Sequence, residues 1–276
     1  MEWIKRKIYA IYFYGFFLVF MMVRYFNELF LSQVISNPIR SPRIDLIVWT
    51  THYLGIPDMV TNPNVSLSID ILIVLLPIAI LLGLFFNKKI NKLSAALSIL
   101  FALYILIIYC FPTLSIRKYL GLILIPIAFT FSSEKRYYNY LELMRYYVLF
   151  IFTSASLWKI TRGVAWDTSH MYLTLKAQHI DNFVNWPDHF ITKIIAALIE
   201  NPLYCSIILL VAVISQLSFA VGFFTKKYDK LLAILLIVFI VSDYLVMRIE
   251  YWEFIVFLPL FLGKYPKESG LIPSTK

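Results

Sequence analysis

Thr153, Ser154, Ala155 and Ser156 close an apolar stretch, and Leu157, Trp158 and Lys159 follow at once, with Trp166 and Asp167 just beyond Gly163. Small residues let a second helix approach closely and leave room for a confined cavity. A lysine delivered to the rim of such a space has its neutral form favoured by partial dehydration, and a neutral amine can act as a general base. The same pattern suits a lysine that extends its stem outward to lipid headgroups beneath a tryptophan belt. Spacing leaves both readings open.

Other charges stand inside or beside apolar stretches, where an Arg, Lys or Asp costs about 2.5–3.5 kcal/mol at the centre of a membrane helix. Arg24 and Glu28, beside Asn27, have the i, i+4 spacing of an intrahelical ion pair. Glu142 and Arg145 repeat it at i, i+3 just after Lys135 and Arg136, which reads as a solvated helix entrance. Asp70 opens another stretch and is expected to be wet. Asp243, Arg248, Glu250 and Glu253 surround a break near the end of the chain. A surface turn there would leave them solvated, whereas a bent hairpin would aim the carboxylates inward as proton acceptors or counter-ions. Gln216, within an apolar run, predicts a hydrogen bond to a neighbouring helix.

Several chemistries lack their residues. His170, His179 and His189 are nine and ten positions apart, not the three or four of a helical metal pair, so no metal site is expected. Walker A, GxSxG, HExxH and dinucleotide-binding fingerprints are missing. Cys110 and Cys205 form no CxxC pair, which speaks against a dithiol oxidoreductase. The net charge of +9 includes no basic run long enough for a nucleic-acid arm.

The elements that must position these residues follow from composition. Of 276 residues, 61% are hydrophobic and 15% charged, and the mean hydropathy is +0.77. Soluble domains carry about 45–50% apolar and about 25% charged residues. An all-α, polytopic membrane bundle in one domain, 1–276, is therefore expected. Apolar stretches at 8–31, 69–86, 93–111, 119–131, 141–158, 203–224, 231–246 and 252–262 give about eight spans, with a range of six to eight. The first, although preceded by Lys5, Arg6 and Lys7, is too long for a signal peptide and is read as a retained span.

On an eight-span plan, fourteen lysines and arginines fall on inner segments, among them Lys88, Lys89, Lys92, Lys226, Lys227, Lys230, Lys264, Lys267 and Lys276. Nine fall on outer segments, including Arg40, Arg43, Arg117 and Lys118. Both termini are thus expected on the cytoplasmic side, in a bacterial inner membrane. Two outer loops, 32–68 and 159–202, are rich in aromatic residues and are expected to fold as caps or interfacial helices.

The run from Phe152 to Trp166 resembles the transmembrane domain of the vitamin K-dependent γ-carboxylase type, the HTTM family. The run from Gln216 through Gly222 to Lys226 is similar to the helix that follows in that family, and 231–262 to its last pair. The likeness spans roughly 117–262, and an arginine late in the first helix, here Arg24, is common in the family. The resemblance implies that Lys159 is the catalytic base that deprotonates a reduced quinone and so starts oxygen-dependent epoxidation. It also implies a lipophilic pocket bordered by Trp158, Trp166, His170 and Gln216, with Trp166 closing it. The chain departs from the family in lacking the large lumenal portion that grips glutamate, in a longer Lys159-to-Trp166 gap, and in having no histidine near Asp243. A glutamate substrate is accordingly not expected. Two alternatives remain: a non-catalytic subunit whose outer loops dock a protein partner in an envelope or export assembly, and a DoxX-like redox-associated protein. Membrane lipids are the expected surroundings and nucleic acid is not an expected partner.

Overall fold

Apolar side chains run round the full circumference of the long helices, so protein covers only part of each. In the computed structural model, which describes residues 6–34, 46–109 and 119–263 save the side chains of Ile47 and Val48, every regular element is helical. Among the described residues, five helical segments are long and apolar enough to cross a membrane: Arg6–Val34, Pro63–Phe85, Asn91–Tyr109, Pro202–Phe223 and Asp229–Met247. Along Pro63–Phe85, Leu67, Leu72, Leu75 and Leu82 are each at least half exposed. A helix apolar on every side, with that much of it uncovered, is suited to lipid rather than water.

The chain packs as two compact units. The first runs to Leu141. It holds α1 (Arg6–Phe26), α2 (Leu31–Val34), α3 (Leu46–Tyr53), α4 (Ile56–Val60), α5 (Pro63–Phe85), α6 (Asn91–Tyr109), α7 (Leu120–Ala128) and the start of α8 (Glu134–Thr161). α1 packs on α5, α5 on α6, and α6 on α7. Tyr9, Phe13, Tyr14 and Phe17 fall on one face of α1 and fill the centre together with Phe101, Tyr104 and Phe129. α5 begins where the Asn62 side chain accepts from the Asn64 amide and Pro63 takes the first helical position, where its missing N–H costs nothing.

The second unit, from Glu142 to Leu262, holds the rest of α8, then α9 (His170–Gln178), α10 (Ile180–Asn185), α11 (Phe190–Glu200), α12 (Pro202–Leu217), α13 (Asp229–Met247) and α14 (Leu258–Leu262). Short 3₁₀ segments occupy Val164–Trp166, Ser218–Phe223 and Trp252–Phe257. Phe152 stacks on Phe219 with ring centroids 4.5 Å apart and meets Phe239 and Phe254 edge-on. A separate apolar cluster of Met171, Leu175, Ile195, Cys205, Leu209 and Val213 joins α9 and α11 to α12.

Each apolar stretch of the sequence contains a helix, although 27–30 and 129–131 leave it, and the count of eight spans does not follow from length and composition. α7 has 9 residues, and Trp252–Leu262 is also short. α8 has 28 residues, yet Glu142, Arg145 and Lys159 keep it from being uniformly apolar. The loop 32–68 contains α3 and α4, and the loop 159–202 contains α9, α10 and α11. Lys5, Arg40, Arg43, Cys110, Arg117, Lys118, Lys264, Lys267 and Lys276 lie outside the described residues.

Candidate functional site

The seam between α8 and α12 sets the depth of Lys159. A Cβ on Gly222 would lie 2.5 Å from Leu149 Cδ2, Phe152 stacks on Phe219, and the Ser156 hydroxyl donates to Val213 O at 2.9 Å. Partner positions fall as α8 positions rise, so α8 runs antiparallel to α12 and to the 3₁₀ segment Ser218–Phe223 that continues it, with the small residues Ser156 and Gly222 at the close approaches. Continuing that register at 1.5 Å per residue puts Lys159 level with about position 211, and the Gln216 backbone roughly 8 Å deeper. Lys159 Nζ nevertheless donates to Gln216 Oε1 at 2.7 Å. The lysine stem therefore runs back along α8 toward the middle of the helix, the direction in which helical side chains lean, and not outward. Lys159 is half-buried and Gln216 is buried. Asp243 of α13, also half-buried, is near enough to interact electrostatically with Lys159.

A second polar constellation lies at the other end of the same seam. Arg145 grips Asp229 with two hydrogen bonds, Nε to Oδ2 at 3.0 Å and NH2 to Oδ1 at 2.6 Å, and NH2 also donates to Gly222 O at 3.0 Å. Lys226 Nζ donates to Glu142 Oε2 at 2.6 Å, and Glu142 Oε1 stands 3.8 Å from Arg145 NH1. Two acids and two bases thus cancel in a place where bare charge would be costly. The solvated entrance expected for Glu142 and Arg145 is corrected: they are 1% and 0% exposed, because α13 begins with an acid at their depth. Sequence reasoning missed Lys226 and Asp229. The available signal was that a buried arginine requires a carboxylate from an adjacent helix.

The first unit holds Arg24 and Asp70. Arg24 does not pair with Glu28: α1 ends at Phe26, Glu28 takes a left-handed φ of 56° outside the helix, and its side chain is exposed. The buried Arg24 instead donates to the Tyr119 hydroxyl at 2.7 Å and to Leu29 O, with its guanidinium over the Tyr119 ring. Asp70, expected to be wet, is 2% exposed and accepts from the amides of Leu31 and Ser32 at 3.1 and 2.8 Å. It supplies from α5 the carboxylate that the start of α2 lacks in its own sequence.

The remaining residues scatter. Trp158 and Trp166 are 56% and 66% exposed, and His170 is exposed. Among the residues around the break after α13, Arg248 and Glu250 are exposed whereas Glu253 is buried, so the hairpin turns only part of its charge inward. His179, not singled out by its spacing, is buried: Nε2 lies 2.8 Å from Val246 O, and Nδ1 lies 3.1 Å from Asn182 Nδ2. Since a carbonyl only accepts, Nε2 carries the proton, and the ring ties α9 and α10 to the end of α13. Asp167 accepts from the hydroxyl and amide of Ser169, chiefly the hydroxyl, which holds its carboxyl below the usual carboxylate range. Comparison of the chain with family models, curated proteins and solved structures finds no significant match.

Proposed function

We propose that the chain is an eight-span protein of a bacterial inner membrane, with both termini cytoplasmic. Lys159 in it serves as proton acceptor for a lipophilic acid, a reduced quinone, in the manner of a γ-carboxylase-type core. The observation that carries this reading is the inward course of the Lys159 stem to Gln216. A lysine used only to anchor a helix at headgroups would extend the other way. The mutual neutralisation of Glu142, Arg145, Lys226 and Asp229 supports α8 as a span despite its charges.

A phenolic hydroxyl and a lysine amine have similar intrinsic acidities, near 10, so proton transfer between them is close to balanced. In the step, the quinol O–H breaks, the proton joins neutral Lys159 Nζ, and a phenolate remains. Gln216 Oε1 keeps the amine aimed, and Asp243 offers the negative charge that steadies the resulting ammonium. Oxygen uptake by the purified protein in liposomes, supplied with a reduced naphthoquinone, tests the reading. Lys159→Ala should lower the rate by at least about a hundredfold, the usual range for a lost general base, with the thermal midpoint kept. An unchanged rate, or no uptake by the unaltered protein, refutes it.

A non-catalytic docking subunit is the second reading. It is favoured by Ile180, Val184, Trp186 and Phe190, all more than 60% exposed on the 159–202 cap. Co-purification of a stoichiometric protein partner in mild detergent, without quinone, would select it.

A further inference from the structure

Four cations, Arg6, Lys7, Lys88 and Lys89, line one crevice of about 320 Å³ in the first unit, and no carboxylate lines it among the described residues. Asn87 and Asn91 complete the polar rim. The floor is different: Ala10, Leu84 and Ile90 are buried and apolar.

The rim is held in place by its own contacts. Lys7 Nζ donates to Asn87 Oδ1 at 2.7 Å, and Asn91 Nδ2 to Thr130 O at 2.8 Å. Arg6 NH2 donates to Phe129 O at 2.6 Å while its guanidinium lies over the Tyr137 ring. Asn87 takes a left-handed φ of 53°, which turns the chain tightly between α5 and α6 and brings Lys88 and Lys89 to the same hollow as the start of α1. Like charges gathered round one cavity repel unless an anion lies among them. An inorganic anion would satisfy the rim and leave the apolar floor unused, whereas an amphiphile satisfies both.

We propose that this crevice binds the phosphate of an anionic phospholipid, with the glycerol and the first acyl carbons against Ala10, Leu84 and Ile90. The site is independent of Lys159 and of any chemistry there.

Native mass spectrometry of the full chain, titrated in detergent with phosphatidylglycerol or phosphatidylcholine, tests it. The variant Lys88→Gln/Lys89→Gln is compared with Lys227→Gln/Lys230→Gln, which removes the same charge from exposed side chains of another basic turn. The unaltered protein should prefer phosphatidylglycerol. The crevice variant should lose about thirtyfold in that affinity, at roughly a factor of five per cation near an anionic surface, and the control variant less than about twofold. Equal affinity for the two lipids overturns the proposal, as does equal loss in the two variants. Displacement of the lipid by millimolar inorganic phosphate overturns it as well, since the ligand would then be the free anion.

Discussion

Replacing Arg145 by methionine keeps most of the side-chain volume and removes the charge. The structure sets the cost. Arg145 is 0% exposed and makes two hydrogen bonds to Asp229 and one to Gly222 O. After Arg145→Met, the Asp229 carboxylate, with a side chain 10% exposed, loses its hydrogen-bonded counter-ion, and Glu142 keeps only Lys226. Breaking one partner of a buried pair costs about 3–5 kcal/mol, most of it from the charge left behind. For a chain of this size roughly 2–4 °C accompanies each kcal/mol, so the midpoint should fall by about 6–20 °C. Thermal unfolding of the detergent-solubilised protein, followed by tryptophan fluorescence, reads this directly. Because the stranded carboxylate is the main term, Arg145→Met/Asp229→Leu should recover more than half of the loss. If the single variant matches the unaltered protein, or the double variant falls by the sum of the two singles, the four-charge lock is not what holds this end of the seam.

Gly222→Ala should destabilise by about 1–3 kcal/mol through overpacking, because its Cβ would sit 2.5 Å from Leu149 Cδ2; a second change, Leu149→Val, should restore part of it in the same thermal assay. Asp70→Ala should cost about 1 kcal/mol as a lost cap and speed amide exchange at Leu31 and Ser32 above all other sites. Asp167 is held ionised by Ser169, so the turn it makes is fully present above the ordinary carboxylate range and lost as pH falls through its lowered value. Exchange at the Ser169 amide should therefore accelerate on acidification, and should be pH-flat, apart from intrinsic chemistry, in Asp167→Ala.

The apolar stretches located the helices because membrane spans announce themselves by length and composition alone. Depth was harder to read. Asp70 looked wet because nothing near it in sequence says that the chain at Leu31 folds back over it. Glu142 and Arg145 looked solvated because Lys135 and Arg136 precede them, while the decisive carboxylate, Asp229, lies 84 residues away from Arg145. The Arg24–Glu28 spacing assumed a helix that stops two residues too soon. Lys159 and Gln216 each stood out by type, yet their pairing across 57 residues depends on the antiparallel register of α8 and α12. Trp158 and Trp166 stand near the lysine in sequence but are exposed: Trp158 because neighbours along a helix point to different sides, Trp166 because the chain turns at Gly163 into a separate 3₁₀ segment.

The inward course of Lys159 is most directly tested by amine labelling of the reconstituted protein with membrane-impermeant and membrane-permeant succinimidyl esters, read peptide by peptide. Lys176 and Lys193, both exposed, serve as internal references on the same cap. Lys159 should react with the permeant reagent and resist the impermeant one, and Gln216→Leu should raise its labelling. Labelling of Lys159 by the impermeant ester at the rate of Lys176 would contradict an amine turned into the helix pair.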